Sequence, residues 1–379
     1  MGPLEGIKIV ELKGIGPGPY ATMLLADMGA EVITVERARK PSGISFPSQL
    51  DINCRGKKSI ALNLKTEQGL EVLLDLIDKA DILVEAYRPG VAEKLGFGPE
   101  VCHARNPKLV YGRMTGWGQT GPLSKVAGHD LNYIALTGSL AAIGERERPI
   151  PPLNLIGDYA GGSMFLVMGV LAALHAAQKT GKGDVVDAAI TDGTASLMSI
   201  VYTFDKLGLW STNRASNGLD GGSHYYRCYD TADGKHVAIG SIEPQFYALL
   251  LEMTGMDPEE FKDQNNPAGW EAKADKLNAV FKTKTRDEWC ELMEGTEVCF
   301  APVLNIKEAP DHPHNKARGT YIELDGVVQP APAPKFTNHS LDTPKAPKSE
   351  GADTDAILQD LGLDAEQIAG LYAAGVIPE

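Results

Sequence analysis

The sequence predicts an α/β protein, in which a large parallel-sheet domain is joined to a small α+β domain. Three observations predict it. Through the first third, β-type runs alternate with amphipathic helical stretches, the pattern of a parallel sheet with crossover helices. The chain has 379 residues, more than one simple core accommodates. Past residue 210 the alternation gives way to a hairpin followed by short helices.

The elements follow in order. Residues 6–12 read as a strand, the Gly14-Ile15-Gly16-Pro17-Gly18-Pro19 stretch as a tight turn, 20–28 as a helix and 31–36 as a second strand. This βαβ unit makes the sheet Rossmann-like. Its glycines run G-x-G-x-G rather than G-x-G-x-x-G, and Pro17 and Pro19 remove amide donors that a pyrophosphate would need. The fold is therefore retained and nicotinamide binding is set aside. Strands are expected at 59–64, 81–85 and 109–114, with an amphipathic helix at 66–79. A glycine-rich loop, Thr115-Gly116-Trp117-Gly118-Gln119-Thr120-Gly121, leads to His129. There Asp130 is expected as the N-cap of a helix over 131–140. Asp158 is expected to open a long helix running to about residue 178, ended by Gly181. A polar linker at 211–220 leads into a small domain, 221–316. That domain holds a hairpin at 225–239 turning on Asp233-Gly234 and helices at 245–254, 278–281 and 286–293. Residues 317–379 form a return segment. Five prolines between 330 and 347 make an extended arm, and closing helices at 353–362 and 365–374 follow. The large domain is thus 1–210, completed by 330–379.

Composition excludes several classes of function. A hydrophobic share of 43% and a charged share of 23% describe an ordinary folded protein. With 36 basic against 50 acidic side chains the net charge is −14, which disfavours nucleic acid and anionic membranes as partners. Five scattered cysteines without a CxxC pair give neither a disulfide framework nor a zinc site, and His312-Pro313-His314 lacks a third ligand nearby, so no metal is expected. The longest apolar run, 164–174, has 11 residues and reads as a buried helix too short to span a bilayer. Neither a secretory leader nor a peroxisomal tail is readable. The expected location is cytoplasmic for a prokaryotic source, and mitochondrial or peroxisomal for a eukaryotic one.

Against the acidic background, Arg37, Arg39, Lys40, Arg55, Lys57, Lys58 and Lys65 gather within one stretch, and Arg88 follows the 81–85 strand. Such clustering suits a polyphosphate ligand. His129 and Asp158, each at a helix entrance, are two titratable groups of different resting protonation, as a two-base proton transfer requires.

These residues carry a family resemblance. The stretches VELKGIGPGPYATMLLADMGAEV, LVEAYRPGVAEKLGFGPE, MTGWGQTGP, AGHDLNYIALTG, PPLNLIGDYAGGSMF, TGKGDVVDA, LDGGSHYY and GSIEPQFYALLL are similar to those of the alpha-methylacyl-CoA racemases, within the CaiB/BaiF-like family III CoA-transferase superfamily. The resemblance spans nearly the whole chain. It implies an isomerase that epimerises C2 of 2-methylacyl-CoA thioesters through an enolate, with CoA as part of the substrate and no separate cofactor. Matching motif to motif, it implies His129 and Asp158 as the two bases, with Asn154 supporting Asp158 and Glu243 supporting His129. CoA would be met by Arg37, by Ala61, Leu62, Asn63, Leu64 and Lys65, by Arg88, and by Gly128, Asp130, Leu131, Asn132 and Tyr133. The fold would be an interlocked homodimer. His224 stands where relatives show proline, in a segment expected to border the acyl chain. The alternatives are a family III CoA-transferase using Asp158 as nucleophile and a non-catalytic acyl-CoA binder.

Overall fold

The computed structural model describes residues 2–37 and 46–378; Arg39 and Lys40 of the basic cluster lie outside them. The chain divides into two compact units. The first comprises Met1–Thr137, Leu153–Leu197 and Arg318–Glu379, and the second Gly138–Pro152 and Met198–Ala317.

The first unit is built on six parallel strands: β1 (Lys8–Leu12), β2 (Glu31–Arg37), β3 (Lys58–Leu62), β4 (Ile82–Glu85), β5 (Val110–Thr115) and β6 (Val185–Ala189). They pair in the order β3-β2-β1-β4-β5-β6. The order reverses between β1 and β4, and ligands of open parallel sheets bind outside the carboxyl ends of the strands at such a point. Alternation along each strand feeds two cores. Val10, Leu12 and Leu83 face a layer with Leu73 and Ile77 of helix Glu67–Asp78 and Leu358 of helix Thr354–Leu361. Ile9, Ile82 and Val84 face the other layer, with Leu25 of helix Pro17–Asp27 and Leu166 and Val170 of helix Met164–Thr180. The closing helices are tied to β3 by amide bonds from Asn63 to the Val376 carbonyl and from Asp353 to that of Ser59.

Several boundaries depart from expectation for identifiable reasons. The helix expected over 131–140 is Asp130–Ala135 followed by Ser139–Ala142, because Gly138 takes a left-handed φ of 84° between them. Its N-cap is His129, and Asp130 is its first residue. Asp158 does not open its helix either. Residues Leu155–Ser163 form a π-helical stretch capped by Asn154, with Asp158 inside it, and the α-helix proper starts at Met164. The two join into one helix of 26 residues, long and apolar enough by length and composition to cross a bilayer. That corrects the shorter estimate from the apolar run. One face of it packs inside the unit: a Cβ on Gly161 or Gly162 would meet Thr194 or Ile190 of helix Ile190–Leu197.

In the second unit β7 (Tyr226–Asp230), β8 (His236–Gly240) and β9 (Phe300–Pro302) form an antiparallel sheet. β9 has three residues and gives no periodic signal. Helices Pro244–Thr254, Trp270–Phe281 and Arg286–Met293 supply Leu250, Leu277 and Trp289 to its core. Residues 138–152 and 198–210, expected in the large domain, belong here. The Arg214 guanidinium donates to the Ala141 and Glu145 carbonyls, fastening the first of these segments. Nor is 211–220 a free linker: buried Asn217 bonds Ser211, Asn213 and Asp220 and locks it into a loop. A final antiparallel pair, β10 (Tyr321–Leu324) and β11 (Val327–Pro330), belongs to the first unit.

Candidate active site

The carboxyl edge of the first unit's sheet carries the candidate residues. Arg37 ends β2, Lys65 lies just past β3, Arg88 just past β4, and the glycine-rich loop leaves β5 for His129. Arg88 and Lys65 are exposed and, among the described residues, pair with no carboxylate. Arg37 lies 5.6 Å from the Tyr87 ring centre as a cation–π contact.

The opposite edge removes part of the expected basic cluster. Arg55, Lys57 and Lys58 precede or start β3, at its amino end. Arg55 is buried in a two-point pair with Asp27, at 3.1 and 2.6 Å. Lys57 is buried against Glu11 at 2.7 Å, and Lys58 is 3.5 Å from Glu31. Arg55 and Lys57 hold the fold together, while Lys58 makes an exposed surface pair. The expectation for Ala61 and Leu62 also narrows. Both are buried in β3, and the Ala61 amide donates to Thr354, so Asn63, Leu64 and Lys65 are what β3 presents at this edge.

The loop after β5 owes its glycines to close packing. A Cβ on Gly116 would fall 2.0 Å from the Tyr133 ring, and one on Gly128 2.7 Å from it. Trp117 meets the same ring edge-on at 4.8 Å, and the Tyr133 hydroxyl donates to the Gly128 carbonyl. This clamp presents His129, exposed, as the N-cap of its helix; the His129 amide donates to Asn132 Oδ1 at 3.1 Å. Leu131 and Asn132 are exposed beside it. Asp130, expected among the ligand contacts, turns its side chain into the protein and is 9% exposed.

Asp130 Oδ1 accepts the Asp158 amide at 2.6 Å, binding the two helix entrances together. The Asn154 amide donates to Asp158 Oδ2 at 3.5 Å. Burial first, then the neighbouring Asp130 charge, push the Asp158 carboxyl up to about 6; the bond from Asn154 and the charge of His129 pull the other way. Thus His129, Asp158 and Asn154 are brought together. Glu243 belongs to the second unit, exposed at the start of helix Pro244–Thr254, where after burial its charge pushes the Cys299 thiol up.

Two features escaped the sequence reading. The mis-spaced glycine turn belongs to this site: Gly16 has φ 76°, and a Cβ there would sit 3.2 Å from Asp158 Oδ2. Only glycine leaves that approach open without strain. Tyr20 stacks on Tyr159 at 4.3 Å beside it.

Residues 4–354 match the model of CoA-transferase family III. The chain belongs to CoA-transferase family III. Within that family it is 43% identical over 378 residues to a Mus musculus protein named alpha-methylacyl-CoA racemase, covering 99% of this chain and 97% of the relative. It is 42% identical over 381 residues to the Homo sapiens protein of the same name, at the same coverage. A crystal structure of a CaiB/BaiF family protein from Brucella suis superposes with a TM-score of 0.79 at 27% identity, covering 95% of this chain and 99% of that one.

His224 lies inside the second unit. It is fully buried among Tyr225, Tyr247 and Phe261, with Nε2 2.6 Å from the Tyr247 hydroxyl. Burial, then Lys273 and Arg227, push it down to about 3. It is a neutral residue of that unit's core. His312 pairs with Glu294 at 2.7 Å.

Proposed function

We propose that this chain is an isomerase that epimerises C2 of 2-methylacyl-CoA thioesters by two-base proton transfer. The observation that carries the reading is the placement of His129 and a half-buried Asp158 at one sheet edge, with Asp158 held near a neutral working range. One base removes the α-proton while the other, protonated, delivers a proton to the opposite face. A carboxyl near 6 can both take up and release a proton near neutral pH. Asn154 orients the carboxylate. The Asp130 amide, in the first turn of its helix, donates to the enolate oxygen, a contribution of about 10²–10³-fold in rate. Arg37, Lys65 and Arg88 receive the phosphates of CoA, which is part of the substrate. Proton transfer between two such bases requires no redox or metal cofactor.

A second copy of the chain completes the assembly in this reading. Leu155, Met164 and Met168 line an exposed apolar face of the long helix of the first unit. In the second unit, helix Ser199–Lys206 buries none of its residues and exposes Ile200 and Tyr202. Faces of this kind mark protein–protein contact, and a homodimer covers them.

The test is to incubate one C2 epimer of a 2-methylacyl-CoA with the protein in deuterated water and follow the α-proton by NMR. Deuterium at C2 with both epimers accumulating is expected. Retained protium, with the acyl group or CoA moving to an added carboxylate, would assign Asp158 as a nucleophile and overturn the reading.

A further inference from the structure

The Asp130 side chain has a role that its place in the motif does not announce. The residue follows His129, yet its carboxylate points away from the exposed imidazole and into the turn that carries Asp158. Oδ1 accepts the Asp158 amide at 2.6 Å, and the Gly157 backbone beside it also favours the ionised carboxylate. The fit is close: a Cβ on Gly157 would fall 2.2 Å from Oδ1. Oδ2 is buried with no hydrogen-bonding partner. A neutral carboxyl would have nowhere to direct its proton, whereas these backbone groups stabilise the anion.

We propose that Asp130 is a positioning residue for Asp158: it anchors the turn that carries Asp158 and sets a second negative charge beside it. The inference rests on the two-base reading of the site. The anchoring suits the local backbone. A π-helical stretch leaves amides less regularly paired than an α-helix, and such stretches occur at functional sites. One of those amides, that of Asp158, is taken up by Asp130 instead of by the helix.

The charge acts on Asp158 from inside the protein. Of the other groups facing the turn, Asn154 donates to the carboxylate, and His129 favours its ionised form. Tyr133 lies within its field, and Arg88 acts on Tyr133 in turn. Gly16 of the β1 turn brings no titratable group. Helix Ile190–Leu197 meets the turn through Thr194 and Ile190, both uncharged. Among the described residues Asp130 is the charge that opposes ionisation of Asp158 there, and burial raises both carboxyls.

Asp130→Asn tests this, because the amide oxygen still accepts the Asp158 N–H while the charge is gone. The acid limb of kcat/KM against pH is expected to move to lower pH by about one unit, with KM for the acyl-CoA little changed. In parallel, the Asp158 carboxyl, labelled with carbon-13 and titrated by NMR, is expected near 6 in the unaltered protein and lower in the variant. An unshifted limb together with an unshifted midpoint would overturn the proposal. Should the variant not fold, the titration of the unaltered protein still decides: an Asp158 midpoint in the ordinary carboxylate range overturns it. A protein that fails to exchange the α-proton but shows the displaced midpoint contradicts the two-base reading and leaves the Asp130 inference standing.

Discussion

Asp158→Asn is expected to lower epimerisation by about 10²–10⁴-fold, the range for loss of one general acid–base group, while acyl-CoA binding persists. The asparagine keeps the shape that Asn154 and the Asp130 anchor require but can neither accept nor deliver the proton. Because the Asp158 backbone, and not its side chain, makes the 2.6 Å bond to Asp130, the turn should survive the change. Steady-state epimerisation and equilibrium binding measured on one preparation separate the two effects. Near-normal epimerisation would remove Asp158 from the chemistry.

Lys57→Met is expected to destabilise the fold by about 3–5 kcal/mol, the cost of stranding a buried charge. Lys57 Nζ lies 2.7 Å from Glu11 Oε2 and also donates to Thr22 and the Pro19 carbonyl. Both side chains are at most 2% exposed. Burial alone would raise the Glu11 carboxyl; Lys57, then Lys13 and Thr22, overcome it and leave it below the usual value. In the unaltered protein Glu11 therefore contributes stability above the unfolded carboxylate pKa, and that contribution is lost as pH falls through the lower folded value. In the variant burial prevails, so the folded pKa lies above the unfolded one and protonation favours the native state. The stability gap between the two proteins should narrow as pH falls. Urea unfolding across pH measures it, and removing both charges in Lys57→Met with Glu11→Leu should recover much of the loss. A variant as stable as its parent would contradict the buried pair.

Lys57 also shows why some of the site was illegible in the sequence. Charge clustering marked a basic region between 37 and 65, and the region exists. Strand direction divides it: Arg37 and Lys65 lie at the carboxyl ends of β2 and β3, where parallel sheets bind ligands, while Arg55 and Lys57 lie at the amino end of β3, inside the fold. The alternating pattern made the first five strands of the parallel sheet readable to within a few residues. β6, whose Val185 and Asp187 face outward, left no such trace. The π-helical turn was hidden for another reason. An aspartate before glycines looks like an ordinary N-cap, and an extra residue per turn has no compositional mark. His129, Asp158 and Asn154 were legible by motif. The contribution of Gly16 was not, because its contact is with a residue far along the chain.

The central claim, that two bases act on opposite faces of one carbon, is tested most directly by separating them. His129→Ala and Asp158→Ala are each incubated with each pure C2 epimer of a 2-methylacyl-CoA in deuterated water, and exchange and inversion are followed together. The account predicts that neither variant inverts configuration at an appreciable rate. Each variant should still exchange the α-proton of one epimer with retention, and the two variants should choose opposite epimers. Inversion at near-normal rate in either variant, or exchange of the same epimer by both, would contradict it.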